Sequence, residues 1–196
     1  MAVGSDFSPG TVLAAYRRGI FPWPQSPEMV PWCSPDPRAI FPLEDEPHWS
    51  RSLRRTLRKH PFAITTDRAF EQVMHESGAR RDGTWIIPEM IEGYVELHAL
   101  GWTHSVEVWE GDALVGGIYG VAIGGAFAGE SMFHRRTDAS KIAFVTLVDR
   151  LRAAGFRLFD VQVQNDHLES LGVIEIPRSE YLDRLDEALA LSPRWT

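Results

Sequence analysis

A chain of 196 residues, 44% hydrophobic and 24% charged, has globular composition, which excludes a disordered protein, and at this length roughly 70% of the unfolded surface can be buried. The single cysteine, Cys33, rules out an intramolecular disulfide and a zinc ribbon, and no apolar run nears the ~18 residues of a membrane span, so cytoplasmic residence is the expectation. Net charge is -7, so any contact with a nucleic acid must run through a local basic patch.

Most of the 13 prolines fall before residue 62, which predicts a small proline-rich domain over residues 1–61 and a regular domain over residues 62–196. Ser8 as N-cap, Pro9 at the first helical position and Gly19 past the end predict a helix over Ser8–Arg18. Residues Ile20–Leu43 hold too many prolines for a helix or an interior strand and predict a fixed irregular loop carrying aromatics. Ser50 caps a second helix, RSLRRTLRK, which ends before His60-Pro61. FAITT reads as a strand, Asp67 as the cap of a helix (RAFEQVMHES) that stops at Gly78, and Pro88 opens a helix to Leu100 with Gly101 as its stop. Three strand-like runs follow, His104–Glu110, Ala113–Ile123 and Ala126–Phe133, joined by Gly111-Asp112 and Gly124-Gly125, the short turns of antiparallel hairpins. Asp138 caps a long apolar-periodic helix closed by Gly155, RLFDVQV returns as a strand, and the tail from Ser179 is an amphipathic helix. A meander, a crossover helix and a returning strand make an α+β arrangement: a mostly antiparallel sheet flanked by helices, the acyltransferase-like (GNAT-type) layout that most often binds acetyl-coenzyme A.

Acetyl-coenzyme A enzymes hold the pyrophosphate with a glycine-bearing turn at the N-terminus of the crossover helix. Here that turn reads HRRTDAS, without glycine, which counts against that donor; Arg135 and Arg136 are either phosphate contacts or surface arginines. Arg51, Arg54, Arg55, Arg58 and Lys59 gather on one or two adjacent helix faces with no acid among them, either as a solvated face or as a seat for a phosphate backbone. Asp160 and Gln162 share one face of the returning strand, where they either bind and orient an amine or are satisfied by neighbouring backbone. Asn165 and His167 fall in a loop just beyond. Glu130, near the end of an apolar strand, requires a partner: an arginine of this chain or an ammonium on a substrate. Phe127, Met132, Phe144 and Leu147 either line an apolar pocket beside it or are plain core. GESMF is not a hydrolase elbow, the histidines show no metal-ligand spacing, GGIYG inside a strand reads as close backbone packing, and Cys33 reads as inert. No nucleophile, metal or cofactor is expected, so an enzyme of this kind needs a substrate that arrives already activated.

AYRRGIFPWP (Ala15 to Pro24), WCSPDPR (Trp32 to Arg38), GTWI (Gly83 to Ile86), GGIYG, GESMF and DVQVQNDHLESLG (Asp160 to Gly172) together resemble the leucyl/phenylalanyl-tRNA-protein transferase family, from about Gly4 to about Leu185. Those bacterial enzymes move leucine or phenylalanine from aminoacyl-tRNA to proteins that begin with arginine or lysine, marking them for N-end rule degradation. The resemblance implies a small N-terminal domain, expected to be reduced here, beside an acyltransferase-like domain. It implies a catalytic pair, Asp160 binding the incoming amine and Gln162 orienting it, with Glu130 at the aminoacyl site. Trp23 and Trp85, with Tyr94 nearby, would hold the terminal adenosine and the acceptor end of the tRNA. Ile118, Phe127, Phe144 and Leu147 would shape the apolar pocket, and the basic helix would hold the acceptor stem. The implied partners are Leu- or Phe-charged tRNA and proteins with N-terminal Arg or Lys, with no membrane and a monomeric chain. Two other readings stay open: a coenzyme A-dependent N-acetyltransferase, separable by an acetyl-coenzyme A assay, and an RNA-binding module without catalysis, separable by a phenylalanine transfer assay.

Overall fold

The computed structural model describes residues 2–4, 6–26, 29–59, 62–79 and 83–195. In chain order its elements are β1 (Ala2–Val3), α1 (Pro9–Tyr16), β2 (Phe21–Pro22), β3 (Pro31–Cys33), β4 (Arg38–Phe41), α2 (Arg51–Lys59), β5 (Ala63–Thr66), α3 (Phe70–Gly78), α4 (Pro88–Ala99), β6 (Thr103–Glu110), β7 (Ala113–Ile123), β8 (Ala126–His134), α5 (Ala139–Ala154), β9 (Leu158–Gln162), α6 (Asp166–Glu169), β10 (Ile174–Ile176) and α7 (Arg178–Leu189). The predicted stop of the second helix at His60-Pro61 lies outside the described residues.

Seven strands form the main sheet in the order β10-β4-β9-β8-β7-β6-β5. The predicted meander is its centre: β6, β7 and β8 pair antiparallel across the two glycine turns. Helix α5 then carries the chain to β9, which pairs parallel to β8. Helix α5 packs on one face, where Phe144 and Leu147 meet Val106, Val108, Ile118 and Phe127. On the other face α1, α3 and α4 bury Leu13, Met74, Met90 and Leu97 against Tyr119 and Val121. With both faces covered, β7 can read as a nearly continuous apolar run and be buried along most of its length. No helix among the described residues is long and apolar enough to cross a membrane.

The proline-rich segment departs from the expected irregular loop. Its strands β2 and β3 join β1 in a small three-stranded sheet, and β4 lies inside the main sheet between β9 and β10, buried at all four positions. The reason is local: Pro37 and Pro42 bracket Arg38–Phe41 without interrupting it, so every N–H of the tetrapeptide remains available to a ladder. Leu53 of α2 shares the core of Phe41 and Phe144, so these parts of residues 1–61 are built into the main layer. Three expected caps also act elsewhere. Ser8 directly precedes α1, but its hydroxyl donates to Thr11 Oγ1 (3.2 Å) and accepts from no helix N–H. Helix α3 starts at Phe70, three residues after Asp67, and Asp138 at the head of α5 binds Thr56 (3.0 Å) and Lys141 (3.2 Å) in place of the helix's own N–H groups.

Within GGIYG, a methyl group on Gly120 would stand 2.2 Å from the Ala128 carbonyl oxygen and 2.5 Å from the Phe127 ring, neither of which can withdraw from a central strand. Gly120→Ala is therefore expected to cost about 3 kcal/mol. Urea denaturation should give a lower midpoint at unchanged slope; a wild-type midpoint would contradict this packing.

Candidate active site

The parallel ladder between β8 and β9 stops at Ala128 opposite Asp160. Beyond that pair the strands diverge, and a cavity of about 320 Å³ opens between Glu130, Ser131 and Met132 on one side and residues 161–165 on the other. Phe21, Pro22, Trp23, Trp85 and Leu168 complete its wall. Trp23 is 38% exposed, so an aromatic face stands at the cavity where a flat ligand can stack on it.

Behind the cavity runs a chain of buried polar side chains. Arg38, from the head of β4, donates Nε to Asp160 Oδ1 (2.8 Å) and Nη2 to Oδ2 (2.6 Å), and its Nη1 reaches the Gly19 carbonyl (3.1 Å). Tyr181 of α7 donates to Asp160 Oδ2 (3.0 Å), and the Gln162 backbone N–H donates to Oδ1 (2.9 Å). Asp160 thus has four donors for about four lone-pair directions. Gln162 has φ 68°, and Val163 N–H closes onto the Val161 carbonyl at 2.8 Å, the geometry of a γ-turn. That turn sends the Gln162 side chain to Glu130, where Nε2 donates to Oε1 at 2.7 Å. Tyr16 of α1 donates to the same oxygen (2.6 Å), so its partner Tyr94 of α4 donates to Tyr16 (2.7 Å).

Glu130 Oε2 is buried and has no hydrogen-bond partner among the described residues. Burial is the main reason the carboxyl is pushed up to about 7 from an ordinary 4.5; Asp160 adds to the rise, while Tyr16, Gln162 and Arg38 oppose it. Burial likewise raises Tyr16 and Tyr94, which therefore act as protonated donors at neutral pH. Around Arg38 burial works against the charge, yet Asp160 outweighs it and holds the guanidinium above the ordinary arginine value.

Of the residues singled out from the sequence, Trp23, Trp85, Glu130 and Gln162 meet in the cavity wall, while Tyr94 lies behind Glu130 and Asp160 behind Gln162. Ile118, Phe127, Phe144 and Leu147 are buried core and are not among the residues lining the cavity; Ile118 lies directly across from Met132, which is. Asn165 caps the short helix α6 by accepting from Leu168 N–H (2.9 Å), and His167 sits exposed on that helix. Arg51, Arg54, Arg55, Arg58 and Lys59 all lie exposed on α2, and none of the five forms an ion pair among the described residues. Arg135 and Arg136, in contrast, pair with Glu76 and Glu110. Sequence reasoning missed Arg38, Tyr16 and Tyr181. A charge heading the apolar run Ala39–Phe41 was the available signal for Arg38; nothing local distinguishes the two tyrosines.

The family model described as leucyl/phenylalanyl-tRNA protein transferase matches residues 40–186, and the model of the N-terminal domain of the same family matches residues 5–36. The chain is similar to a leucyl/phenylalanyl-tRNA--protein transferase of Anaeromyxobacter sp. strain Fw109-5, 52% identical over all of this chain and 86% of that one. A protein of the same description from Pseudoalteromonas atlantica is 50% identical over 96% of this chain and 82% of its own. Among solved structures, the C-terminal DUF2156 domain of a proposed lysylphosphatidylglycerol synthetase from Agrobacterium fabrum superimposes with a TM-score of 0.50 at 14% identity, covering 96% of this chain and 63% of that one. That likeness concerns the fold alone, a mostly antiparallel sheet flanked by helices.

Because the folded Glu130 titrates above its unfolded value, its contribution to stability is fully present below about 4.5 and is lost as pH rises through about 7. The carboxyl resonance of Glu130 should accordingly titrate near pH 7, and Glu130→Gln should lose less thermal stability than wild type between pH 5 and pH 8, as read by melting curves. Parallel melting curves for the two proteins would rule this out.

Proposed function

The chain belongs to the leucyl/phenylalanyl-tRNA protein transferase family, and on that premise we propose how its cavity moves leucine or phenylalanine from a charged tRNA to a protein that begins with arginine or lysine. The observation that carries the proposal is Glu130: a buried carboxylate oxygen without a partner, in the wall of a cavity bordered by two tryptophans. An ammonium is the ligand that completes it, and an aminoacyl ester carries one on its α-carbon.

The terminal adenosine stacks between Trp23 and Trp85, and the α-ammonium of the aminoacyl group pairs with Glu130. The apolar side chain then lies against Met132, Val161 and Leu168, with Ile118, Phe127, Phe144 and Leu147 as the packed layer that resists expansion. Selection by volume of this kind discriminates one methylene by only about 1–3 kcal/mol. The Gln162 amide has its orientation set by the bond to Glu130, which leaves Oε1 as the acceptor for an N–H of the incoming amine. Asp160, saturated by its four donors, has the supporting role of holding the backbone turn that presents Gln162. The neutral amine attacks the ester carbonyl, the C–N bond forms, the C–O bond to the ribose breaks, and the amine's proton passes to the ribose oxygen. No side chain becomes acylated. Holding amine and ester in line is worth on the order of 7 kcal/mol. The unpaired cations of α2 draw the acceptor stem by its phosphates, so the acidic chain meets RNA through one local field.

Gln162→Ala should lower the transfer rate constant by roughly 10²-fold and leave the affinity for charged tRNA within about twofold. Asp160→Ala should lose transfer and in addition about 3–5 kcal/mol of stability, because Arg38 is left buried and unpaired. Transfer from phenylalanyl-tRNA to an Arg-initiated peptide is the readout, and a normal rate in Gln162→Ala would refute the assignment. Removing Arg54 and Arg55 together should reduce the slope of log affinity against log salt by about two; an unchanged slope would place the tRNA elsewhere.

A further inference from the structure

We infer that Asp67, His98 and His104 form a binding site for one divalent transition-metal ion, which braces α4 against β6. The three residues lie 31 and 6 positions apart in sequence, a spacing that matches no local metal motif, yet one ligand atom of each lies within 4.8 Å of the other two. None of them lines the aminoacyl cavity. Two imidazoles and a carboxylate suit zinc and its first-row neighbours, with water as the remaining ligand.

The present hydrogen bonds hold two of the three groups close to the spacing a metal would need, and orient the third. His104 Nδ1 and Asp67 Oδ2 stand 2.8 Å apart and share one proton. Two ligands of a tetrahedral ion, each at about 2.1 Å, are about 3.4 Å apart, so replacing that proton opens the pair by only about half an ångström. His98 Nδ1 is 2.6 Å from the Thr103 carbonyl, which can only accept. In the neutral ring Nδ1 therefore carries the proton, and Nε2 is left with a lone pair and no hydrogen bond among the described residues. Donation of the second ring nitrogen to a backbone carbonyl is how metal-ligating histidines are commonly oriented. Both rings are also clamped by stacking, Phe70 on His98 and Trp195 on His104, each with centroids 4.4 Å apart. Asp67 is held by Ser105 N–H (2.9 Å) and the Trp195 indole (2.7 Å), and it adopts φ 58° to reach them.

The effect on the enzyme would be structural. His98 follows Tyr94 by one turn of α4, and the Tyr94 carbonyl accepts from Thr103 Oγ1 at 2.9 Å, beside His104 on β6. An ion joining His98, His104 and Asp67 would fix the helix whose Tyr94 supports Tyr16 and Glu130.

The full chain, stripped with chelator, should bind one equivalent of Zn²⁺ with a submicromolar Kd in calorimetry and melt at a higher temperature when loaded. Co²⁺ should give visible absorption of a low-coordinate site and shift the ring protons of two histidines. His98→Gln should weaken Zn²⁺ binding by at least 100-fold. Absence of stoichiometric binding in wild type, or equal affinity in His98→Gln, overturns the assignment and leaves the cluster as a hydrogen-bond network alone. Should His98→Gln fail to fold, the Co²⁺ spectrum of wild type decides: unshifted histidine rings overturn it and two shifted rings support it.

Discussion

Burying a guanidinium beside a carboxylate inside a sheet carries a desolvation cost that attraction offsets only when both groups are fully bonded. Arg38 and Asp160 meet that condition. Side chains at 1% and 3% exposure share two short bonds, Tyr181 and the Gln162 N–H complete the carboxylate, and the Gly19 carbonyl takes a further guanidinium N–H. Phe21 and Tyr181 cover the guanidinium with rings 4.8 and 4.3 Å from its carbon. Five parts of the chain meet at this pair: the turn after α1, β2, β4, β9 and α7. The N-terminal aromatics stand over the cavity because this knot ties them to the strand that carries Gln162.

From the knot a single line of bonds leads to the cavity wall. Asp160 holds the N–H of a residue in a strained γ-turn, that residue's amide holds Glu130, and Tyr16 and Tyr94 hold Glu130 from the other side. Strain of this kind persists only where surroundings over-determine it, and here both the backbone and the side chain of Gln162 are bonded. The carboxylate at the end of the line is the group whose second oxygen has no hydrogen-bond partner among the described residues.

Charge is distributed to the same end. Arg135, Arg136, Arg152 and Arg184 are each matched to a glutamate on the surface. The cations of α2 are not, although Leu53 anchors the helix in the core and Thr56 ties it to the head of α5. Exposed ion pairs contribute little to stability, so their main consequence here is electrostatic: they cancel basic charge at those four sites, while α2 carries five exposed cations without an ion pair among the described residues.

Local patterns in the amino-acid order determined the helices at Arg51–Lys59 and Ala139–Ala154, the meander with its glycine turns, and the candidates Glu130 and Gln162, because turn chemistry, periodicity and an acid in an apolar strand are all readable within a few residues, whereas Trp23 and Trp85 followed only from the family resemblance. Tertiary structure alone decided which partners those residues meet. The strand Arg38–Phe41 is too short to announce itself among prolines, and its place in the sheet depends on β9 and β10, far away in sequence. Asp160 and Gln162 alternate correctly for one strand face, yet a γ-turn and a distant arginine give them different partners. Asp67, His98 and His104 converge only once β5, α4 and β6 are in place. Contacts across such distances in sequence arise from packing, and no local pattern encodes them.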